Sequence, residues 1–391
     1  MMNVPFFLFL VLAWTYAADA DFSLLPIPEV LTDPNEGVTY GLMPILLLTD
    51  RDDRLEHMVA SDVRYNKTTG VYPAFRLFGY PSLDQRYYVV VKKSERIDEE
   101  YDGLYQNTGL IGGRGSALAE VDDYRDSLQR FFGFGNRSAH HDETNFTIRR
   151  FAVNLRLGYW LFPGWEVAWQ TRFEDSAVAR GGVHSLPFTG DQFPGVLGLA
   201  GSTVHGESVR FSYDDRDSRN LTTRGTLATA WFELVDRALG SSSSYSRYGF
   251  ELREFVPFAE RFVLALRAEL DYLSHAAGAP FYEQSTIGGE QSVRGFGDGR
   301  FRDANRFLTN AELRTEVFRR KLFGILMSLE AAPFLDAGRV FSSARDFPLE
   351  KLHVAGGMGF RAVIRPQVVG YVDLGYGSEG GAAFSGIDYP F

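Results

Sequence analysis

The sequence predicts an all-β fold: a single transmembrane antiparallel β-barrel of about 16 strands, with a long loop folded into its lumen. Three observations predict it. Polar and apolar residues alternate with period two in segment after segment, which marks strands with one wet and one greasy face. Beyond the first 20 residues no stretch has the ~20 consecutive apolar residues that a membrane helix needs. A Gly-rich segment, Gly288-Gly289-Glu290-Gln291-Ser292-Val293-Arg294-Gly295-Phe296, carries one Arg, and Phe334-Leu335-Asp336-Ala337-Gly338 carries one Asp. An Arg at such a loop tip and a lone Asp on an inward strand face read as a loop tied down inside the barrel.

The alternation can be followed residue by residue. Over 306–318, Phe307, Thr309, Ala311, Leu313, Thr315 and Val317 share a face, opposite Asn310, Glu312, Arg314 and Glu316. Over 325–340, Leu329, Ala331, Leu335 and Ala337 oppose Ser328, Glu330 and Asp336. Over 261–275, Leu264, Leu266 and Leu270 oppose Arg267, Glu269 and Asp271. A soluble sandwich would have to bury those charges, whereas a water-filled lumen accepts them. Strands are expected near 37–49, 57–67, 71–80, 84–93, 115–125, 145–160, 164–176, 204–217, 223–237, 244–258, 261–275, 306–318, 325–340, 353–365, 367–378 and 382–391. Thr68-Thr69-Gly70, Pro163-Gly164 and Arg365-Pro366 punctuate them as tight turns. The longer connections, about 177–203 and 276–305, are expected to face outward from the cell.

Residues 1–20 read as a signal peptide: Phe6 to Trp14 is too short for a membrane helix, and Ala18-Asp19-Ala20 is a small-x-small cleavage site. Residues 21–36, with Pro26, Pro28 and Pro34, read as a short periplasmic lead-in, and 37–391 as the barrel. The chain has 391 residues, no Cys and a net charge of −10. The missing Cys excludes disulfides, thiolate metal sites and Cys nucleophiles, and the negative charge argues against nucleic acid as a partner.

The two C-terminal segments resemble the barrel of the BamA/TamA/FhaC superfamily of outer-membrane insertases and translocases. In that family a lumen loop carries Val-Arg-Gly-Phe, matched here by Val293, Arg294, Gly295 and Phe296 after Gly288 and Gly289. An aromatic-x-Asp-x-Gly strand motif is matched by Phe334, Asp336 and Gly338. Asn310-Ala311-Glu312-Leu313-Arg314 resembles the intervening strand, with Glu312 in its acidic position. Phe131-Phe132-Gly133-Phe134-Gly135-Asn136 and Asp214-Asp215-Arg216-Asp217 look like family hairpins. The resemblance implies a latch of Arg294 with Glu312 and Asp336, and a barrel that inserts or translocates proteins or lipids at the outer membrane of a Gram-negative bacterium. It implies outer-membrane lipid around the barrel, the barrel-assembly machinery as a partner during biogenesis, and a separate periplasmic partner protein. The family's insertases carry periplasmic POTRA domains, and the stretch from Asp21 to Asn35 has room for none. Tyr389 and Phe391 resemble the C-terminal signal by which such barrels are recognised for assembly.

Other motifs carry less. Gly295-Phe296-Gly297-Asp298-Gly299 lacks the strand-loop-helix setting and the Lys of a nucleotide loop. Asp214 to Asp217 lacks the spacing of a calcium loop, and His140-His141 reads as exposed loop. No metal or cofactor is expected, and without Gly-x-Ser-x-Gly the chain is read as a non-enzyme. Gly380, Gly381, Gly386 and Pro390 weaken the last strand, which suits a laterally opening barrel and equally suits a frayed end. A passive or plugged channel and a surface scaffold or receptor are the alternative functions.

Overall fold

The computed structural model describes residues 21–33, 35, 37–50, 55–96, 98–322, 325–346, 351–364, 368–387 and 389–391. The proposed signal peptide lies outside them. The strands are β1 (Asp21–Asp33), β2 (Gly37–Thr49), β3 (Leu55–Asn66), β4 (Gly70–Ser82), β5 (Gln85–Lys93), β6 (Glu99–Gly109) and β7 (Gly115–Phe131). There follow β8 (Thr144–Phe162), β9 (Trp165–Arg180), β10 (Ser202–Asp214), β11 (Gly225–Val235), β12 (Tyr245–Ala259) and β13 (Phe262–Ser274). A two-stranded ribbon, β14 (Ser285–Ile287) with β15 (Phe301–Asp303), interrupts the series. The last strands are β16 (Asn305–Leu322), β17 (Ile325–Phe341), β18 (His353–Ile364), β19 (Val368–Gly377) and β20 (Gly380–Ile387).

Apart from the ribbon, all pair antiparallel with their chain neighbours in one 18-stranded sheet, and β20 meets β1 at Thr32↔Ala383. The alternation sets the two faces. Val63, Leu157 and Leu335 point outward, each more than half exposed, while Arg361, Glu312, Asp336 and Asp373 are buried inside. This inverts the pattern of a soluble protein, where charged groups are almost never fully buried, and it is the pattern of a membrane barrel. Among the described residues no helix is long and apolar enough to cross a membrane. The longest connections share one end. β8–β9 and β12–β13 turn tightly at one end, the short-turn end, and 132–143, 181–201 and 275–304 lie at the other, the long-loop end.

Two strands were not legible in the alternation. Asp21–Asp33, expected as a lead-in, is β1, paired with β2 from Asp21↔Thr49 to Asp33↔Gly37. Its prolines hid it. Pro26 lies opposite Pro44 of β2, and the β2–β3 register skips Met43 and Pro44. Two facing prolines keep a ladder only if their nitrogens point away from each other. The backbone nitrogen of Pro28, two residues on, faces the same way as that of Pro26. β1 therefore keeps its bonds to β2 and presents a donor-poor edge to β20. The other missed strand, β6, reads Glu-Glu-Tyr-Asp-Gly-Leu-Tyr, too acidic and too poor in β-branched residues to stand out. The last strand also stops earlier than expected, at Ile387 rather than Phe391.

Candidate functional site: the lumen loop and its two anchors

Residues 275–304 leave β13 through two short turns, form the β14–β15 ribbon, and drop 288–300 into the interior between the two ribbon strands. The ribbon and tip pack as an apolar core against the inner wall: Ile287, Val293, Phe296 and Phe301 meet Leu308 of β16, Val340 of β17 and Ala355 of β18. Gly288 and Gly289 have positive φ, which lets the chain reverse there. The tip presses on β19 so closely that a Cβ on Gly375 would overlap the Arg294 carbonyl oxygen. A Cβ on Gly295 would come within 2.6 Å of the Ala355 methyl, and one on Gly338 within 3.0 Å of Val293.

Arg294, 1% exposed, ends in a closed ring of charge. Its Nε and Nη2 donate to Asp336 Oδ2 and Oδ1 at 2.9 and 3.0 Å, a two-pronged contact. Nη1 donates to Glu312 Oε2 at 3.0 Å and to Asp373 Oδ2 at 2.7 Å. The Arg294 backbone N–H also donates to Asp336, at 3.1 Å, so main chain and side chain grip one carboxylate. The guanidinium lies 3.7 Å from the centre of the Phe334 ring, a cation–π stack in a dry setting. Arg361 bridges Glu312 and Asp373, Arg314 donates to Glu312 at 3.1 Å, and Asn310 donates to Asp336 at 2.8 Å. Three guanidiniums thus face three carboxylates, which is how a buried charge cluster avoids an uncompensated ion. Burial alone would push the Arg294 guanidinium down; Asp336, Glu312 and Asp373 outweigh it and hold it above its ordinary value.

The structure therefore brings Arg294, Glu312, Asp336, Phe334 and Gly338 together, and adds Asp373, Arg361, Arg314 and Asn310. Arg361 and Asp373 had a readable signal. Asp373 is the lone charge in β19, and Arg361 is the lone Asp, Glu, Lys or Arg in β18, which is Gly and apolar residues after His353.

A second anchor holds the root of the same loop. Glu283 accepts from Arg172 Nη2 of β9 at 2.9 Å and from the Tyr245 hydroxyl of β12 at 2.7 Å, while its backbone carbonyl accepts from Arg247. Arg172 also holds Glu174 at 3.0 Å and Glu233 at 3.1 Å. Burial pushes the Glu283 carboxyl up, but Arg172, Arg247 and the Tyr245 hydroxyl together hold it below the usual carboxylate range. At the long-loop end, Arg300 grips Glu379 of the β19–β20 turn at 2.6 and 2.7 Å, and Asn35 of the β1–β2 turn donates to the Asp298 carbonyl at 2.8 Å. The loop so spans both hairpins that flank the β1–β20 contact. It covers a cavity of about 220 Å³ lined by Thr32, Asn35, Phe296, Arg300, Glu379 and Gly381.

The remaining predicted residues fall elsewhere. Tyr389 and Phe391, expected on a closing strand, turn into the interior beyond β20. The Tyr389 hydroxyl donates to Glu330 at 2.9 Å, and Phe391 packs with Phe255 and Ala265 of β12 and β13. Arg314 stacks 3.7 Å from the Tyr389 ring and donates to the Phe391 carbonyl at 3.1 Å. Phe131 to Asn136 ends β7 and enters the interior, where the Asn136 side chain accepts from the Val340 N–H and its carbonyl lies 2.8 Å from His353 Nε2. Asp214 is taken up by Arg216 at 2.8 and 2.9 Å, and Asp217 by the Thr223 and Arg224 N–H groups, which makes this stretch a braced hairpin end. Among the described residues no group of acidic and His side chains could hold a metal ion.

Comparison with known proteins places these features. The Omp85 superfamily domain matches residues 120–363. Three solved structures share the fold. BamA from Haemophilus ducreyi lacking POTRA domains 1–3 is 13% identical, with a TM-score of 0.55 over 93% of this chain and 74% of that one. CdiB from Escherichia coli is 14% identical, with a TM-score of 0.56 over 93% of this chain and 66% of that one. CdiB from Acinetobacter baumannii is 12% identical, with a TM-score of 0.54 over 94% and 59%. This chain thus spans less than two thirds of either CdiB. No curated protein of assigned function matches it.

Proposed function

Because the chain belongs to the Omp85 superfamily, we propose that it works in the outer membrane of a Gram-negative bacterium, inserting or translocating proteins or lipids. The observation that supports this reading is the seam. Among the described residues, each barrel strand from β2 to β19, the β14–β15 ribbon aside, is laddered to both neighbours, whereas β1 and β20 pair at Thr32↔Ala383 alone. An edge poor in donors is the least costly place to part a sheet, because few hydrogen bonds must be replaced in lipid. Cargo with strands of its own could pair there by strand addition. The barrel-assembly machinery would fold this chain, and a separate periplasmic protein would deliver cargo at the short-turn end. No step of this role calls for a cofactor or for catalysis by the chain.

A disulfide across the seam tests the reading. The native chain has no Cys, so Thr32→Cys with Ala383→Cys forms a defined staple. Insertion or secretion activity in a reconstituted membrane should stop when the staple is oxidised and return on reduction. Activity that survives a fully formed staple rejects lateral opening. The plugged channel is the second reading, and the filling of the interior by residues 288–300 and 389–391 favours it. It predicts a conductance that the staple leaves unchanged.

A further inference from the structure

Four arginines gather on the inner wall, on the short-turn side of the root anchor. Arg86 stands on β5, Arg156 on β8 and Arg210 on β10; Arg219 reaches in from the β10–β11 hairpin. Leu155 and Leu157, and Val209 and Phe211, are exposed on the outer face, so Arg156 and Arg210 point inward by alternation. Arg156 pairs with Gln170 of β9, and Arg210 with Ala168, so the two straddle β9 on a diagonal. Arg156 is within electrostatic reach of Arg86 and Arg219, and Arg210 within reach of Arg156.

What these four touch differs from what the arginines of the two anchors touch. Arg172, Arg267, Arg294 and Arg361 are each ion-paired. Among the described residues, none of the four has a carboxylate at ion-pair distance. Arg86 donates to the neutral Gln106 amide at 2.8 Å, Arg210 lies 5.6 Å from the Trp231 ring, and Arg219 lies 5.6 Å from the Trp160 ring. In a chain of net charge −10, carboxylates to neutralise them were plentiful. Like charges held together with carboxylates at longer range only, and none at ion-pair distance, gain from an anion that comes from outside.

We propose that Arg86, Arg156, Arg210 and Arg219 form a phosphate-binding site on the lumen wall. The guanidinium fork matches phosphate oxygens two at a time, and Arg156, which is within electrostatic reach of the other three, is the centre of the site. Glu166, Glu120, Glu233 and Glu251 act on the patch electrostatically from around it. A long acidic peptide would run into these carboxylates, whereas a single phosphoryl group would not. Free phosphate and a phosphorylated lipid head group share this chemistry. The site does not depend on whether the seam opens.

Trp160 and Trp231 report on it, because an anion that draws Arg219 and Arg210 off their rings alters their emission. The purified barrel, with Trp165→Phe and Trp169→Phe to silence two of the other tryptophans, is titrated in zwitterionic micelles with pyrophosphate, with lysophosphatidic acid, and with a polyglutamate peptide. Sodium chloride at matched ionic strength is the control. The expected result is a saturable change with a phosphate probe that is at least about tenfold weaker in Arg156→Gln/Arg210→Gln and partly retained in Arg156→Lys/Arg210→Lys. Saturation by both probes, or by pyrophosphate alone, assigns free phosphate chemistry; saturation by lysophosphatidic acid alone assigns a lipid head group. Heat-modifiable gel migration checks that each variant is folded, and Arg210→Gln alone is read if the double variant is not. A change that sodium chloride reproduces, one that the Gln variant keeps in full, or saturation by polyglutamate alone overturns the proposal.

Discussion

The two anchors of the lumen loop use the same chemistry with opposite ownership. At the tip, the hub is a loop arginine, Arg294, and the wall supplies Asp336, Glu312 and Asp373. At the root, the hub is a wall arginine, Arg172, and the loop supplies one of its three carboxylates, Glu283, beside Glu174 and Glu233. Removing the loop's side chain therefore has unequal consequences. At the tip it leaves three buried carboxylates facing two cations. At the root it leaves an arginine that still has two partners. A loop held by its own hub is locked in register, whereas a loop held as one ligand of a wall hub can be released without stranding a charge.

Arg294→Ala should have the largest effect, about 3–5 kcal/mol for breaking a buried pair, reduced where water enters the cavity. Limited proteolysis within 288–300 and loss of heat-modifiable migration at lower temperature are the measurements; parent-like behaviour in both would show that the tip anchor carries no load. Glu283→Gln keeps the shape and loses the charge, and should cost about 1–3 kcal/mol, with cleavage first appearing near residues 276–284 rather than at the tip. The double variant sharpens the comparison. Additivity within about 0.5 kcal/mol means two independent anchors, and a larger departure means that the loop behaves as one unit.

Acid separates the root from ordinary surface carboxylates. The Glu283 carboxyl is held below its usual range, so its contribution is fully present above the unfolded value of about 4.3. It is lost progressively as pH falls from there, and is gone only below the lower folded value, so little of it is lost by pH 4. Protease protection of 276–284 should persist when the protein is taken from pH 7 to pH 4, and early loss would contradict this assignment. The smallest expected effect is at the C-terminal residues. Tyr389→Phe removes one hydrogen bond to Glu330, about 1 kcal/mol, and should leave both anchors intact by proteolysis.

Much of this was legible in the sequence because period two fixes direction. Once 306–318 and 325–340 are strands, Glu312 and Asp336 must point the same way as each other and opposite to Leu313 and Leu335. What periodicity cannot give is distance around a closed circuit. Asp373 and Arg361 stand out as lone charges in β18 and β19, but that they meet Arg294 follows from how those strands pass the loop, which nothing local to them indicates. Glu283 was missed for the converse reason: it lies in an irregular turn with no period, and its partner Arg172 is 111 residues away. β1 was obscured by prolines whose effect depends on which neighbour their nitrogens face, a property of the pairing and not of the residue.

The placement of residues 389–391 has a consequence for the order of assembly. Phe391 rests on Phe255 and Ala265, and Arg314 is stacked on Tyr389. These supports belong to β12, β13 and β16, so that seat does not exist until the middle of the barrel has formed. If assembly machinery holds these last residues, they cannot occupy it. Release from the machinery and completion of the interior are then a single event, and a chain still in the grip of its helper is hollow where the finished one is filled.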